Sequence, residues 1–233
     1  MTAQLISPLT TVALPVVRLQ VQIAPMKPGR APWRVYDPSC LREVEQLRLT
    51  SCGVVGLLPD GTELLDVHHT GHPLSRDRRG LAGVSVMATG DYVALRARYG
   101  AHLVDGIAGE GVLVDYSPGL ARRPMPEEAW LRRRRDARAL GMPAAADEAS
   151  GADDRPELRL HSLQVADPCV EFTRFCLRLP ASDVVGSDVT AGLADLGGGA
   201  RGYKMVAGSE WVVRRGDVLL IPPGDRGAAL LDG

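Results

Sequence analysis

Short segments in which apolar and polar residues alternate dominate the first half of the chain, and this pattern predicts strands. In residues 16–23 every second residue is apolar, which is the period of a strand with one buried face. The segments 47–58 and 63–67 flank Pro59-Asp60-Gly61, and an Asp-Gly pair between two apolar runs is a strong hairpin signal. The N-terminal half is therefore predicted to be mainly β.

Further short apolar runs, each bounded by turn residues, extend this prediction to the C-terminal half. Segments 203–206 and 211–213 are predicted to be paired strands on either side of Gly208. The remaining strand predictions are segments 84–87, 112–116, 158–165 and 218–221.

Helical spacing of apolar residues is confined to a few segments. Residues 89–99 are predicted to form a helix that Thr89 caps and Gly100 ends. Segment 187–196 is predicted to be a short helix. Segment 170–177 is compatible with either a helical turn or a strand.

The longest predicted helix covers residues 124–140. Pro126 and Glu127 lie in its first turn, arginines follow, and Gly141 ends it, an order that suits the helix dipole. The next segment, 143–156, is rich in small and polar residues without periodicity, and it is predicted to be an exposed, mobile surface loop.

Many short strands, few helices and the absence of an internal repeat favour a barrel or a sandwich. A length of 233 residues suffices for one well-buried core, so we expect a single domain over residues 1–233. The predicted fold class is mainly β, a closed or partly open β-barrel with a few peripheral helices.

Composition narrows the classes of partner. The 27 basic and 28 acidic residues nearly balance, which speaks against nucleic acid or an anionic membrane as the main partner. Arginines at 132–135 suggest nucleic-acid binding, but the neighbouring acids favour a solvated helix face. No apolar stretch is long enough to span a bilayer and residues 1–24 lack a basic n-region, so we expect a cytoplasmic protein.

The chain contains four cysteines, Cys40, Cys52, Cys169 and Cys176. None forms a CxxC pair, and no Cys/His spacing indicates structural zinc, so we expect reduced thiols. Cys176 lies between two apolar residues and is predicted to belong to the core.

Three of the five histidines fall within five residues, at His68, His69 and His72, and Arg76 follows them. Three interpretations remain open: contact with an anion or cofactor, a structural loop, or a metal site. If the strand continues through this segment, His68 and His69 point to opposite sides, and one of them faces a common site.

Two further segments combine a glycine-rich turn with charge. Glu110 lies between two glycines and is either a buried acid aimed at a site or a structural partner of an arginine. Arg201 and Lys204 follow a triple glycine, which indicates an oxyanion site or a turn with solvated charges.

Cys169 has a different character, because Pro168 fixes the chain directly before the thiol and Glu171 and Arg174 follow it. Electropositive surroundings favour the thiolate form of a cysteine, which is both a nucleophile and a ligand for soft metals. The sequence therefore points to Cys169 as the residue through which chemistry runs.

Six blocks in this order resemble the MOSC domain, the module named after the C-terminal part of molybdenum cofactor sulfurases. The resemblance covers roughly residues 42–222 and implies a closed β-barrel with short helices over its mouth. The blocks are Asp66-Val67-His68-His69, Gly83-Val84-Ser85-Val86-Met87, Gly109-Glu110, Asp167-Pro168-Cys169-Val170-Glu171-Phe172, Arg201-Gly202-Tyr203 and Arg215-Gly216-Asp217-Val218.

The resemblance implies that Cys169 ligates the molybdenum of a pterin cofactor, or carries sulfur, and that Arg201 helps to hold the pterin phosphate. Further candidates for cofactor contact are His72, Arg76, Lys204 and Glu110. The chain departs from the family in two ways: Gly111 stands where the family has an asparagine after Gly-Glu, and the longer N-terminal lobe of the mitochondrial amidoxime-reducing relatives is missing.

The leading hypothesis is a molybdenum cofactor (molybdopterin) protein that reduces N-hydroxylated or similar small substrates through a metal bound by Cys169, with a redox partner protein. The first alternative needs no cofactor: Cys169 is a nucleophile in sulfur transfer or C–S bond chemistry, and His68, His69 or His72 is its acid–base group. The second alternative is a non-catalytic carrier of cofactor or sulfur.

Overall fold

The computed structural model describes residues 10–77, 79, 83–134 and 157–224, and these form twelve strands and three α-helices. The strands are β1 (Val12–Gln22), β2 (Leu41–Glu43), β3 (Gln46–Thr50), β4 (Gly53–Leu57), β5 (Glu63–Leu65), β6 (Val84–Ala88), β7 (Val112–Val114), β8 (Ala129–Arg132), β9 (Glu157–Val165), β10 (Tyr203–Ala207), β11 (Trp211–Arg214) and β12 (Val218–Ile221). The helices are α1 (Thr89–Tyr99), α2 (Val170–Leu177) and α3 (Ser187–Asp195).

Seven strands close into a barrel in the order β1–β7–β6–β10–β9–β8–β12, and β12 pairs with β1 to complete the ring. Every neighbouring pair is antiparallel except β6 and β7, which are parallel and are connected through α1. This confirms the predicted mainly β fold with a closed barrel and few helices. Closure gives each barrel strand two hydrogen-bonded neighbours, which removes the unpaired edges of an open sheet.

A second, four-stranded sheet, β11–β3–β4–β5, packs against the C-terminal part of β1. The close approach depends on Gly56 in β4, because a Cβ there would lie 3.1 Å from Val21 of β1 and 3.0 Å from Val44. Apolar residues of both sheets, among them Leu19 and Leu47, belong to one buried cluster. The predicted strand 47–58 is thus two strands, β3 and β4, with a turn between them.

The predicted helix 124–140 is wrong where the structure describes it, because residues 129–132 form β8 inside the barrel. Ala129 and Leu131 are buried while Trp130 and Arg132 alternate with them, and β8 pairs with both β9 and β12. Two sheet partners and a buried face outweigh the charge order that suggested a helix. The predicted mobile loop 143–156 lies outside the described residues.

The predicted pairing of 203–206 with 211–213 is also wrong. β10 pairs with β6 and β9 in the barrel, whereas β11 pairs with β3 in the second sheet. Gly208 is where the chain passes from one sheet to the other, and its N–H donates to the carbonyl of Arg159.

Helix α1 has the predicted bounds, but Thr89 is not its cap. Ala88 occupies the N-cap position, and the Asp91 carboxylate accepts a 2.9 Å hydrogen bond from the Ala88 N–H. The Thr89 hydroxyl instead donates to Asp115. Helix α3 is confirmed, and segment 170–177 is a helix. Within the described residues, no helix is both long and apolar enough to cross a bilayer.

The described arginines of the run 132–135 are not on a helix face. Arg132 forms an ion pair with Glu157, and Arg133 lies 3.0 Å from the buried carboxylate of Asp217. The Arg133 guanidinium also covers the ring of Trp211, 5.4 Å from its centroid. Arg132 thus joins two barrel strands, β8 and β9, and Arg133 joins the segment after β8 to the residue before β12 and to β11 of the second sheet.

Candidate functional site

A cavity of about 280 Å³ is lined by residues of β6 and β10, by the last residue of β1 and by the segments that precede β7 and follow β9. Ser85 and Lys204 line it from the second residues of β6 and β10, where they are paired, and Gln22 lines it from the last residue of β1. Exposed side chains such as Lys27 and Arg76 are part of its lining, so the cavity is open to solvent. Its volume is at the lower end of the range for small-molecule sites.

Cys169 lines this cavity from the N-cap position of α2. Its Sγ accepts a 3.5 Å hydrogen bond from the Phe172 N–H, and its thiol is free and partly buried. The chain leaves β9 in extended geometry through Pro168, which brings the sulfur to the positive end of the helix dipole.

Arg201 places a fixed positive charge beside this sulfur. Its Nη1 lies 3.9 Å from Cys169 Sγ, and its Nη2 donates a 2.8 Å hydrogen bond to the carbonyl of Ala108. The guanidinium stacks on the ring of Phe172 at 4.2 Å from the centroid. Because three separate contacts hold it, Arg201 keeps its charge at the thiol without a carboxylate partner among the described residues.

Three more cations line the cavity, Lys27, Arg76 and Lys204, and none of them forms an ion pair with another described residue. The acidic side chains that line it are Glu110 and Asp167. The excess of positive charge favours an anionic ligand, since ammonium and guanidinium groups donate charge-assisted hydrogen bonds to phosphate or carboxylate oxygens.

Glu110 is a buried acid, 3% exposed, in the loop that precedes β7. Its Oε2 accepts a 2.7 Å hydrogen bond from the Tyr92 hydroxyl, while Oε1 has no partner. Desolvation by burial raises the pKa of Glu110 to about 7. Tyr92 also accepts from the Ala108 N–H at 3.0 Å, so the Glu110–Tyr92 pair holds the residue whose carbonyl Arg201 binds.

His68 lines the cavity, and Asp66 orients its ring. His68 Nδ1 lies 2.9 Å from Asp66 Oδ1, and the same oxygen accepts a 2.9 Å hydrogen bond from the His68 N–H. The second carboxylate oxygen accepts from the Gln22 N–H at 2.8 Å, which connects this loop to the end of β1.

His69 and His72 do not line the cavity. His69 Nδ1 accepts a hydrogen bond from the Gly71 N–H, and burial lowers the pKa of His69. His72 Nδ1 accepts from the Leu74 N–H, and its Nε2 lies 3.2 Å from the carbonyl of Ile23. Both rings therefore stabilise the loop that carries His68.

The structure thus brings together Cys169, His68 and four of the five predicted cofactor contacts. The residues of the predicted site that line the cavity are Cys169, His68, Arg76, Glu110, Arg201 and Lys204.

The sequence prediction missed Tyr36 and Lys27, which also line the cavity. The Tyr36 ring packs edge-on against Phe172 at 4.9 Å, its hydroxyl donates to the Ile107 carbonyl at 2.8 Å, and burial raises the pKa of Tyr36. Both residues lie in a proline- and glycine-rich loop without periodicity, so the sequence offered little signal for either of them.

Cys169 supplies a thiol to this cavity, and the thioether of Met26 is a second soft sulfur in its lining. Among the residues that the structure describes, no group of three or more His, Cys, Asp or Glu side chains could hold a metal ion. A metal bound by Cys169 would have to bring most of its other ligands with it, as a metal within an organic cofactor does.

Comparisons with known proteins support the fold and leave the function open. No protein-family model matches the chain, and neither does any curated protein. A crystal structure of the YUAD protein from Bacillus subtilis is similar in fold, with a TM-score of 0.51 and 11% identity over 91% of this chain and 97% of that chain. A second solved structure, of a hypothetical protein, has a TM-score of 0.46 and 12% identity over 91% of this chain and 69% of that chain.

Proposed function

We propose that this protein binds a molybdenum cofactor (molybdopterin) in the cavity that Cys169 lines, with Cys169 as the metal ligand. We further propose that it is a cytoplasmic MOSC-type oxidoreductase that reduces N-hydroxylated or similar small substrates with electrons from a redox partner protein. One observation carries the proposal: the sulfur of Cys169 faces a cation-lined cavity that contains no competing cluster of metal ligands among the described residues.

The cavity suits the two ends of such a cofactor. Cys169 supplies a soft thiolate for the metal, and the pterin part brings further ligands of its own. Lys27, Arg76 and Lys204 supply donors for the phosphate. We assign Arg201 to the sulfur end, because its guanidinium is already held by the Ala108 carbonyl and the Phe172 ring.

The bound cofactor would supply the two-electron chemistry. The residues of this chain would hold and orient it: Arg201 compensates the negative charge of the thiolate, and the Tyr36 ring, which packs on Phe172, provides an apolar part of the cavity wall. The Glu110–Tyr92 pair would keep the Ala108 carbonyl, and with it Arg201, in position.

Metal analysis of protein produced in a host with intact cofactor synthesis tests the proposal. We expect about one molybdenum and one pterin per chain, together with turnover of an N-hydroxylated base when reduced viologen supplies electrons. Cys169→Ser should lose the metal while remaining folded, because a hydroxyl is a poor soft-metal ligand. Cys176→Ser is the matched control, since that thiol is 1% exposed in the core, and it should keep the metal.

Wild-type protein without molybdenum, or Cys169→Ser with the metal content of wild type, would contradict the proposal. Cofactor binding without turnover would instead support a carrier.

A second function, thiol chemistry without a cofactor, is favoured by one observation: the Asp66–His68 pair lines the same cavity as Cys169. An imidazole oriented by a carboxylate is the usual base for a cysteine nucleophile. Incubation with thiosulfate, which transfers its sulfane sulfur and leaves as sulfite, followed by mass spectrometry should then reveal a persulfide on Cys169, and its absence from metal-free wild-type protein would exclude sulfur transfer.

A further inference from the structure

The histidines of the protein differ in how their ring nitrogens are used. His72 and His102 each have both nitrogens in contact with hydrogen-bonding groups of the described chain. His68 has its Nδ1 against Asp66, whereas its Nε2 has no hydrogen bond with a described residue. His68 is also the histidine that lines the cavity, so it offers a free ring nitrogen to a bound ligand.

Asp66 determines that the free ring nitrogen of His68 is Nε2, because the carboxylate contacts Nδ1. Its side chain is only 14% exposed, and it accepts hydrogen bonds from two backbone N–H groups, those of Gln22 and His68, as well as facing the ring. A carboxylate is an acceptor only, so Nδ1 must carry the hydrogen. The neutral ring then has its lone pair on Nε2, and the charged ring has an N–H there. Proton exchange is therefore directed to one atom.

We propose that His68 is the proton-transfer residue of the cavity, with Asp66 as its positioning residue; this inference rests on the proposed reduction of N-hydroxylated substrates. Conversion of an N–OH group to N–H breaks the N–O bond, takes up two electrons and two protons and releases water. The reductant supplies both electrons. His68 Nε2–H donates one proton to the departing hydroxyl oxygen, and solvent supplies the second proton, which the nitrogen takes up. Solvent, to which the half-exposed ring is open, also restores the proton on His68.

Other charged groups share the cavity and affect any pH profile. Burial raises the pKa of Glu110 to about 7, so its ionisation overlaps the range in which histidines titrate. The pH dependence of turnover must therefore be compared between wild type and Glu110→Gln, which removes this ionisation. The charged side chains that line the cavity with His68 are Lys27, Arg76, Glu110, Asp167, Arg201 and Lys204.

The first test needs no cofactor. Long-range ¹H–¹⁵N NMR of the full-length protein at alkaline pH reports which ring nitrogen of neutral His68 carries hydrogen. We expect the Nδ1–H form, which is the minor form of histidine in water, and a shift toward the Nε2–H form in Asp66→Asn. An Nε2–H form in wild type would overturn the inference.

The second test uses the cofactor-loaded enzyme. His68→Asn keeps a donor for Asp66 but removes Nε2, so we expect kcat to fall about 10²–10³-fold with KM nearly unchanged. Imidazole should partly restore the activity of His68→Ala. His161→Asn is the matched control, because His161 lies on β9 against Ser162 and does not line the cavity, and it should retain activity.

A kcat of His68→Asn within about threefold of wild type would overturn the inference. If wild-type protein shows no turnover, the proposed function fails, and the NMR measurement then decides whether Asp66 orients His68 as proposed.

Discussion

Glu110 is predicted to make the folded protein less stable as the pH rises toward neutrality. Burial raises its pKa from the ordinary 4.5 to about 7. Between these values the folded state keeps the proton that the unfolded state releases, so the free energy of unfolding falls as pH rises. At about 1.4 kcal/mol per pH unit, this contribution to the free energy of unfolding is about 3 kcal/mol. It is present in full below pH 4.5 and is lost above pH 7.

Glu110→Gln isolates this contribution, because the amide has the shape of the protonated acid and can still accept from Tyr92. We expect urea unfolding to give similar free energies for the two proteins near pH 4.5. Near pH 8 we expect the variant to be more stable by up to about 3 kcal/mol. Subtracting the free energy of unfolding of wild type from that of the variant at each pH removes the contributions of the other titrating groups, which the two proteins share. A difference that stays flat from pH 4.5 to pH 8 would refute the reasoning.

Three further outcomes are expected. Iodoacetamide at pH 8 should label Cys169 but not Cys176 in the folded protein, because burial raises the pKa of Cys176 to about 12. Peptide mass spectrometry measures the labelling of each cysteine, and equal labelling would contradict the prediction. Gly202→Ala should lower the free energy of unfolding by more than about 2 kcal/mol, because a Cβ at this residue (φ +78°) would lie 2.2 Å from a backbone oxygen. Gly61→Ala, at φ +85° but in open space, should lower it by about 1 kcal/mol. Equal losses in urea unfolding would refute the steric argument. Asp217→Asn should lower the free energy of unfolding by about 1–3 kcal/mol, because this buried carboxylate binds Arg133. An unchanged midpoint of urea unfolding would show that the ion pair adds no stability.

The two long helix predictions show where local patterns suffice and where they fail. Residues 89–99 form a helix because the apolar spacing, the acid in the first turn and the final glycine agree with the packing of α1. Residues 129–132 carry a helix-like order of charges, but pairing with β9 and β12 makes them a strand. The alternation of Ala129, Trp130, Leu131 and Arg132 was the local signal for this strand, and four residues are too few to outweigh the longer charge pattern.

The histidine cluster at the site also shows both what local sequence can predict and what depends on tertiary contacts. The sequence singled out the segment, and chemistry alone could not rank His68, His69 and His72. Their roles depend on the backbone turns of this loop, which direct His68 into the cavity and the other two rings back onto the loop or onto β1. Such turns are set by hydrogen bonds to residues distant in sequence, such as Gln22.

The sequence by itself determined which segments favour strands, the end of α1, the core position of Cys176 and the candidate thiol Cys169, because these follow from local periodicity, turn residues and side-chain chemistry. Only the tertiary structure decided the closure of β12 onto β1 and the contact of Arg201 with Cys169. These contacts join residues far apart in the chain, and they form only when the burial of both partners offsets the entropy of closing the loop between them.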